Sequence, residues 1–146
     1  MLKIIMRVDA SIQIGVGHMM RCLTLANELN KIGADISFVC RDYPGNFQSL
    51  IQKQGFFVKL LPNPNTIKHD DKDYSTWLGV PWEQDVEDVK KVLCNKIVDW
   101  IIVDHYGVDH HWHKSFRGLA RNIMVIDDLA DRKLNCDVIL DQTFNL

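Results

Sequence analysis

Apolar residues fall into two alternating patterns along this chain. Short continuous runs rich in Val, Ile and Leu span Leu2–Val8, Asp35–Cys40, Phe57–Leu61, Trp100–Asp104, Ile123–Ile126 and Asp137–Leu140. Between them lie stretches whose apolar positions recur every three or four residues. The continuous runs predict strands buried on both faces, and the recurring positions predict helices with one apolar side. The spacing places helices over His18–Lys31 (Leu23, Leu25, Ala26 and Leu29 inward), Phe47–Gln54, Glu83–Lys96 (Val86, Val89, Val92 and Leu93) and Asp109–Arg121 (Trp112, Phe116, Leu119 and Ala120). Gly33 and Gly55 stand where the first two helices must stop.

Strands alternating with helices predict the α/β class: a Rossmann-like, doubly wound parallel sheet. Right-handed crossovers give a strand order near 3-2-1-4-5, with the sixth strand short. Pro62–Pro81 fits neither pattern. It holds three prolines with several Asn and Asp and no clean period, and long excursions of this kind are functional or mobile.

In such a sheet the ligand lies beyond the carboxyl ends of the strands, where the winding reverses between strands one and four. Asp9–His18, Asp104–Gly107 and Asp127-Asp128 all come to that edge.

The 146 residues fit a single domain spanning 1–146, 47% apolar and 25% charged. A net charge of −2 and a pI near 6.3 exclude a broad basic surface for nucleic acid or an anionic membrane. Any bound anion must be held locally by amides and a few cations. The sequence has no apolar run long enough to span a membrane. Cys22, Cys40, Cys94 and Cys136 form no CxxC pair and read as reduced thiols. With no apolar leader at the N-terminus, the expected location is the cytoplasm.

The chemistry concentrates in Gly15-Val-Gly-His18. A strand, a Gly-containing loop and a helix bring backbone N–H groups up to a phosphate. Gly15 and Gly17 suit that approach, but His18 stands where the dinucleotide fingerprint would have Gly. A neutral imidazole there can accept a proton at neutral pH. Beside an anion-binding loop, that suits attack of water on a sugar with a nucleotide leaving group, or a packing role. Asp9 reads as an orienter of His18, a helix cap or a turn carboxylate. Arg21, three residues beyond His18, can hold a phosphate or pair with a carboxylate. Tyr106 can hydrogen-bond a sugar hydroxyl or an acetamido oxygen, or pack on its loop.

His105, His110, His111 and His113 look like a metal tract, with His110 and His113 on one helical face. Without HEXXH or a nearby Cys they read as a solvated helix start, so neither metal nor cofactor is expected. Asp127-Asp128 reads as paired carboxylates or a cap.

Several segments together, RVDASIQIGVGHMMR (Arg7–Arg21), FVCR (Phe38–Arg41), VDHYG (Val103–Gly107), VIDDLADR (Val125–Arg132) and CDVILDQ (Cys136–Gln142), resemble the PseG family. These are UDP-diacetamido-trideoxyhexose hydrolases of pseudaminic acid biosynthesis, related to MurG-type glycosyltransferases. The resemblance implies the N-terminal half of a two-domain GT-B fold, with the nucleotide bound mainly by a C-terminal half that this chain lacks. It implies metal-independent, inverting hydrolysis of the sugar C1–O bond with release of UDP. His18 matches the family's base, and Tyr106 matches the tyrosine lining its sugar site. A glycosidase ordinarily needs two carboxylates, one to protonate a poor leaving group. A diphosphate leaves readily, so one base can suffice. Glycosyl transfer to an acceptor, or a non-catalytic domain that only associates with another chain, fits the same residues. A nicotinamide oxidoreductase does not, because strand two ends in Cys40-Arg41 with no ribose-binding acid.

Overall fold

The computed structural model describes residues 1–12, 14–65 and 72–143. The middle of the Pro62–Pro81 excursion (66–71) and the last three residues lie outside the described residues. The strands are β1 (Lys3–Val8), β2 (Asp35–Arg41), β3 (Phe57–Leu61), β4 (Val98–Asp104), β5 (Ala120–Ile126) and β6 (Val138–Leu140). The helices are α1 (Gly17–Lys31), α2 (Gln48–Lys53), α3 (Trp82–Val92) and α4 (His110–Lys114), with a 3₁₀ helix at Tyr74–Leu78.

All six strands form one sheet in the order β3-β2-β1-β4-β5-β6, and every neighbouring pair is parallel. This is the Rossmann-like arrangement the alternation predicts, with the reversal between β1 and β4. Val8 pairs in register with Asp104, so the tips of these two strands end level.

Each face of the sheet has its own core. On one face, α1 and α2 cover Met6, Val8, Phe38 and Cys40. On the other, Val86 and Val89 of α3, Trp112 of α4 and Phe116 just beyond it pack on Ile5, Val39, Ile101, Val103 and Ile123. With both faces covered, a strand has no polar side, which is why its sequence reads as a continuous apolar run. Full burial of a side chain such as Ile101 or Phe116 contributes roughly 1.5–3 kcal/mol.

Ion pairs also bind α3 to the sheet. Arg7 donates from Nε and Nη2 to the two oxygens of Asp85 at 3.2 and 2.7 Å. Arg41 donates to Asp85 at 2.5 Å and to Asp88 at 2.9 Å. The indole N–H of Trp112 donates to Asp85 at 2.8 Å. Burial alone would raise the Asp85 carboxyl, but the Arg7 and Arg41 guanidiniums hold it below the usual carboxylate range.

Two helices are shorter than their patterns suggest. α3 stops at Val92, and Cys94 and Asn95 then turn the chain with φ of 52° each. The predicted Asp109–Arg121 helix holds only to Lys114. Tight i→i−3 bonds follow, from Phe116 N to His113 O and from Leu119 N to Phe116 O. Sheet pairing then draws Ala120–Asn122 into β5, beside Val98 and Trp100. Ladder hydrogen bonds override helical spacing at that end.

Candidate active site

The loop after β1 closes on itself where the Gly15 N–H donates to the Ser11 carbonyl at 2.8 Å. Gly15 has φ +84°, a conformation that favours glycine. α1 then begins at Gly17 behind an N-cap, Val16, that has no polar side chain, and among the described residues no side chain bonds the amides of its first turn. A Cβ added at Gly17 would meet nothing within 4 Å. Among the described residues, the helix start therefore has room beside Gly17.

His18 sits on that first turn with its ring 13% exposed. Its Nδ1 lies 2.5 Å from Oδ1 of Asp104, whose side chain is fully buried at the β4 tip. Arg21 donates to the same carboxylate from Nε at 2.5 Å and Nη2 at 2.6 Å. Arg21 Nη2 is also 3.1 Å from His18 Nδ1. The 2.5 Å contact with a carboxylate, which can only accept, places the proton on Nδ1 and leaves Nε2 its lone pair; Arg21 Nη2, which can only donate, is then a neighbour of Nδ1 and not its hydrogen-bond partner. Among the described residues, Nε2 has no partner. Burial works to raise the Asp104 carboxyl, but the bonds from Arg21 and His18 bring it below the ordinary range. Asp104 is thus a fixed anion that orients the imidazole. Arg21 spends its charge on this carboxylate, the second of its two expected roles.

Tyr106 stands with its ring edge-on to His18, centroids 4.4 Å apart. Its hydroxyl donates to the half-buried Asp128. Burial and the neighbouring Asp128 charge push the phenol well above its usual range. The excursion supplies more of this wall. Tyr74 and Trp77 lie 5.1 and 6.0 Å from the Tyr106 ring, and Trp77 6.4 Å from His18. The Trp77 indole N–H is buried and, among the described residues, has no hydrogen-bond partner. A cleft of about 500 Å³ opens on the other side of Tyr106, walled by Tyr74, Leu78, Trp82, Gly107, Asp109 and Arg132 among others. His18 is not part of its wall, so Tyr106 stands between His18 and the cleft.

Asp9 lies away from His18. Its Oδ1 accepts from Arg7 Nη1 at 2.6 Å and from the Arg41 backbone N–H at 2.7 Å. Its Oδ2 is 2.7 Å from His105 Nε2. Both oxygens are occupied and the residue is only 2% exposed, which leaves it a strut rather than a ligand. Strand alternation explains the exchange of carboxylates. Arg7 and Asp9 point to the α3 face, whereas Val8 and its register partner Asp104 point to the α1 face, where His18 is.

The strut continues into the Tyr106 turn. His105 Nδ1 accepts from the Gly107 N–H at 2.9 Å, so its proton is on Nε2, facing Asp9. A Cβ on Gly107 would fall 2.9 Å from both His105 Cε1 and the Leu78 amide nitrogen, leaving room only for glycine. Arg132 donates to the carbonyls of Val108 and His105 at 2.6 and 3.1 Å, and to Asp127 at 2.8 Å. The predicted pair Asp127-Asp128 is therefore divided between Arg132 and Tyr106.

The histidine tract divides as well. His105 and His113 are buried, and His113 turns into the core instead of sharing an outer face with His110. His110 and His111, with centroids 3.9 Å apart, bring one ligand atom each within 4.8 Å of an Asp109 oxygen. Asp109 also caps α4, accepting from the His111 N–H at 2.9 Å. All four cysteines are free thiols. No helix among the described residues is long and apolar enough to cross a membrane.

The structure thus brings His18, Arg21 and Tyr106 together beside the glycine loop and sets Asp9 apart. Sequence reasoning assigned no role to Asp104 and only a general one to Asp128. Their one signal was position at strand tips on the ligand edge.

No protein-family model matches the chain. Over 127 residues (87% of the chain) it is 26% identical to an uncharacterized protein of Methanocaldococcus jannaschii, and it spans 22% of that protein's length.

Proposed function

We propose that this chain is the base-bearing, GT-B-like half of a nucleotide-sugar hydrolase that removes UDP from a UDP-diacetamido-trideoxyhexose. One observation carries the reading: the His18 imidazole is locked by Asp104 with Nε2 bare, on the uncapped first turn of a helix. The resemblance of the Arg7–Arg21 and Val103–Gly107 segments to the PseG family supplies the substrate class.

The diphosphate lies against the open N-terminus of α1, where the amides and the helix dipole favour negative charge. Water attacks the sugar C1 and passes a proton to His18 Nε2. The C1–O bond breaks, and its electron pair leaves with the diphosphate. Asp104 stabilises the imidazolium until solvent takes the proton. A second domain closes over the site and holds the uridine. In support, Ile12, Val16 and Met20 expose apolar side chains around the same loop, at 77, 46 and 44%.

The test is UDP release from the UDP-diacetamido sugar by full-length protein, wild type against His18→Asn. Loss of a positioned base lowers kcat by about 10²–10⁴-fold. Undiminished turnover in the variant would overturn the assignment, and sugar transfer to an added acceptor would redirect it to a glycosyltransferase.

A further inference from the structure

The His18 imidazole becomes a cation when it takes a proton, so the charges around it set how strong a base it is. Asp104 is the anion in contact with it. Arg21, however, meets both Asp104 oxygens, from Nε and Nη2. That pair is neutral as a unit: it orients the ring and adds no net charge. Arg21 also hydrogen-bonds the Tyr106 phenol. The phenol proton goes to Asp128, so the phenol oxygen accepts from Arg21. One chain of hydrogen bonds therefore runs from His18 through Asp104, Arg21 and Tyr106 to Asp128. Its far end has no cation. The neighbouring Asp127 takes Arg132 at 2.8 Å and the Ala130 N–H at 3.1 Å. Among the described residues, no Lys, Arg or His forms an ion pair with Asp128. The Cys22 thiol, 3.6 Å from Asp104, stays neutral because burial pushes it up. From the 3₁₀ helix, Trp77 cannot ionise, and Tyr74 meets the Tyr106 ring.

We infer that Asp128 is a positioning residue for His18: held by the Tyr106 phenol one ring away from the imidazole, it leaves the site with a net negative charge and makes His18 a stronger base. What that basicity is used for rests on the function proposed above; the effect on His18 does not. Tyr106 is what gives the charge its reach. Its ring stands edge-on to His18 with centroids 4.4 Å apart, so the space between the carboxylate and the imidazole is filled by an aromatic ring and not by water. Charges interact more strongly across such a medium than across solvent. The phenol also fixes where the carboxylate stands, since Asp128 is only half-buried and would otherwise turn toward water. Asp104 and Asp128 thus divide two tasks. The first sets the tautomer by contact, and the second sets the charge from a distance.

The test is a pH titration of His18 followed by ¹⁵N NMR on the full chain, which reads the base without requiring turnover. Asp128→Asn removes the charge, nearly keeps the shape and leaves an oxygen for the phenol proton. It should lower the His18 midpoint by about half a unit to one unit, because loss of a nearby anion disfavours the imidazolium. In the Tyr106→Phe background, where the carboxylate is no longer held, the same change should shift the midpoint less than half as far. An unchanged midpoint in Asp128→Asn overturns the inference, as do equal shifts in the two backgrounds. With the UDP-diacetamido sugar, Asp128→Asn should lower kcat about two- to fivefold at unchanged KM, with the acid limb of kcat moved to lower pH. A His18 shift without any UDP release by wild type upholds the role of Asp128 and sinks the hydrolase reading. UDP release without a His18 shift does the reverse.

Discussion

Asp104→Asn is the sharpest perturbation of this site, because it changes a proton's position while barely changing shape. The wild-type carboxylate receives His18 Nδ1 at 2.5 Å and Arg21 at 2.5 and 2.6 Å. An Asn has one oxygen to share between these donors. Arg21 is a permanent cation and holds that oxygen, which turns the amide NH₂ toward His18. Nδ1 must then accept, and the ring proton moves to Nε2, the atom that receives a proton from water in the proposed mechanism. The same Asp-to-Asn exchange behind the histidine of a serine protease lowers kcat by about 10⁴ through the wrong tautomer. Because His18 is partly exposed and its ring can re-equilibrate, a loss of about 10²–10⁴ in kcat is expected, equivalent to roughly 3–5 kcal/mol of barrier. KM should change little, since Asp104 is buried away from the ligand. UDP release measures the rate, ¹⁵N shifts of His18 measure the tautomer, and a urea melt confirms folding. A folded variant with near-wild-type kcat, or an unchanged His18 tautomer, refutes the reasoning.

Asp85→Ala leaves Arg7, Arg41 and the Trp112 N–H without their shared acceptor in the core, and should cost about 3–5 kcal/mol in urea unfolding. Burial lowers the His113 imidazole to about 4. An unfolded chain therefore binds that proton first as pH falls, and stability is lost between about pH 6.5 and 4. Between pH 7.5 and 5, wild type should lose about 2 kcal/mol more than His113→Leu, and parallel stability curves would count against the assignment. Asp9, Asp85 and Asp104 are depressed instead, so their stabilisation is present above about pH 4 and fades only below it. Gly17→Val meets open space and should fold normally while losing UDP-sugar turnover. Gly107→Ala strikes the Leu78 amide and His105 and should lower the melting temperature as well.

The strand order was legible because each apolar run is short, continuous and bounded by turn residues, and right-handed crossovers leave few ways to connect such runs. The position of His18 on the first turn of α1 was legible because a strand–glycine loop–helix start has a known geometry. Asp104 was not, although it stood in plain view before His105-Tyr106. A carboxylate partner for His18 was sought nearby in sequence, at Asp9, whereas the actual partner is 86 residues away. Which carboxylate faces α1 depends on which way each strand tip points. Double burial removes the polar-apolar alternation that would reveal this, so the cue is absent from exactly those strands that carry the site. The 3₁₀ helix at Tyr74–Leu78 was hidden for another reason: a single turn fixed by the Asp73 cap and by ring contacts has no periodicity to read.

The same alternation explains how the site is kept rigid. On β1, Arg7 and Asp9 turn to the α3 face while Val8 turns to α1. At the β4 tip, His105 reaches Asp9 while Asp104 on one side holds His18 and Tyr106 on the other packs against it. Asp104 and Tyr106, the two groups of the β4 tip that touch His18, are therefore each one residue from His105, which is anchored in the buried ion network. Burying charge is costly, and an apolar core of equal volume would serve stability as well or better. A hydrophobic contact, however, fixes neither the tautomer of His105 nor the path of the backbone on which Tyr106 stands. Paired charges with every oxygen occupied, as at Asp9, fix both, because any displacement of the turn breaks a hydrogen bond that cannot be replaced by water. Rigidity of that kind is what the proposed lone base requires, since in that mechanism its contribution depends on meeting the attacking water at hydrogen-bond distance.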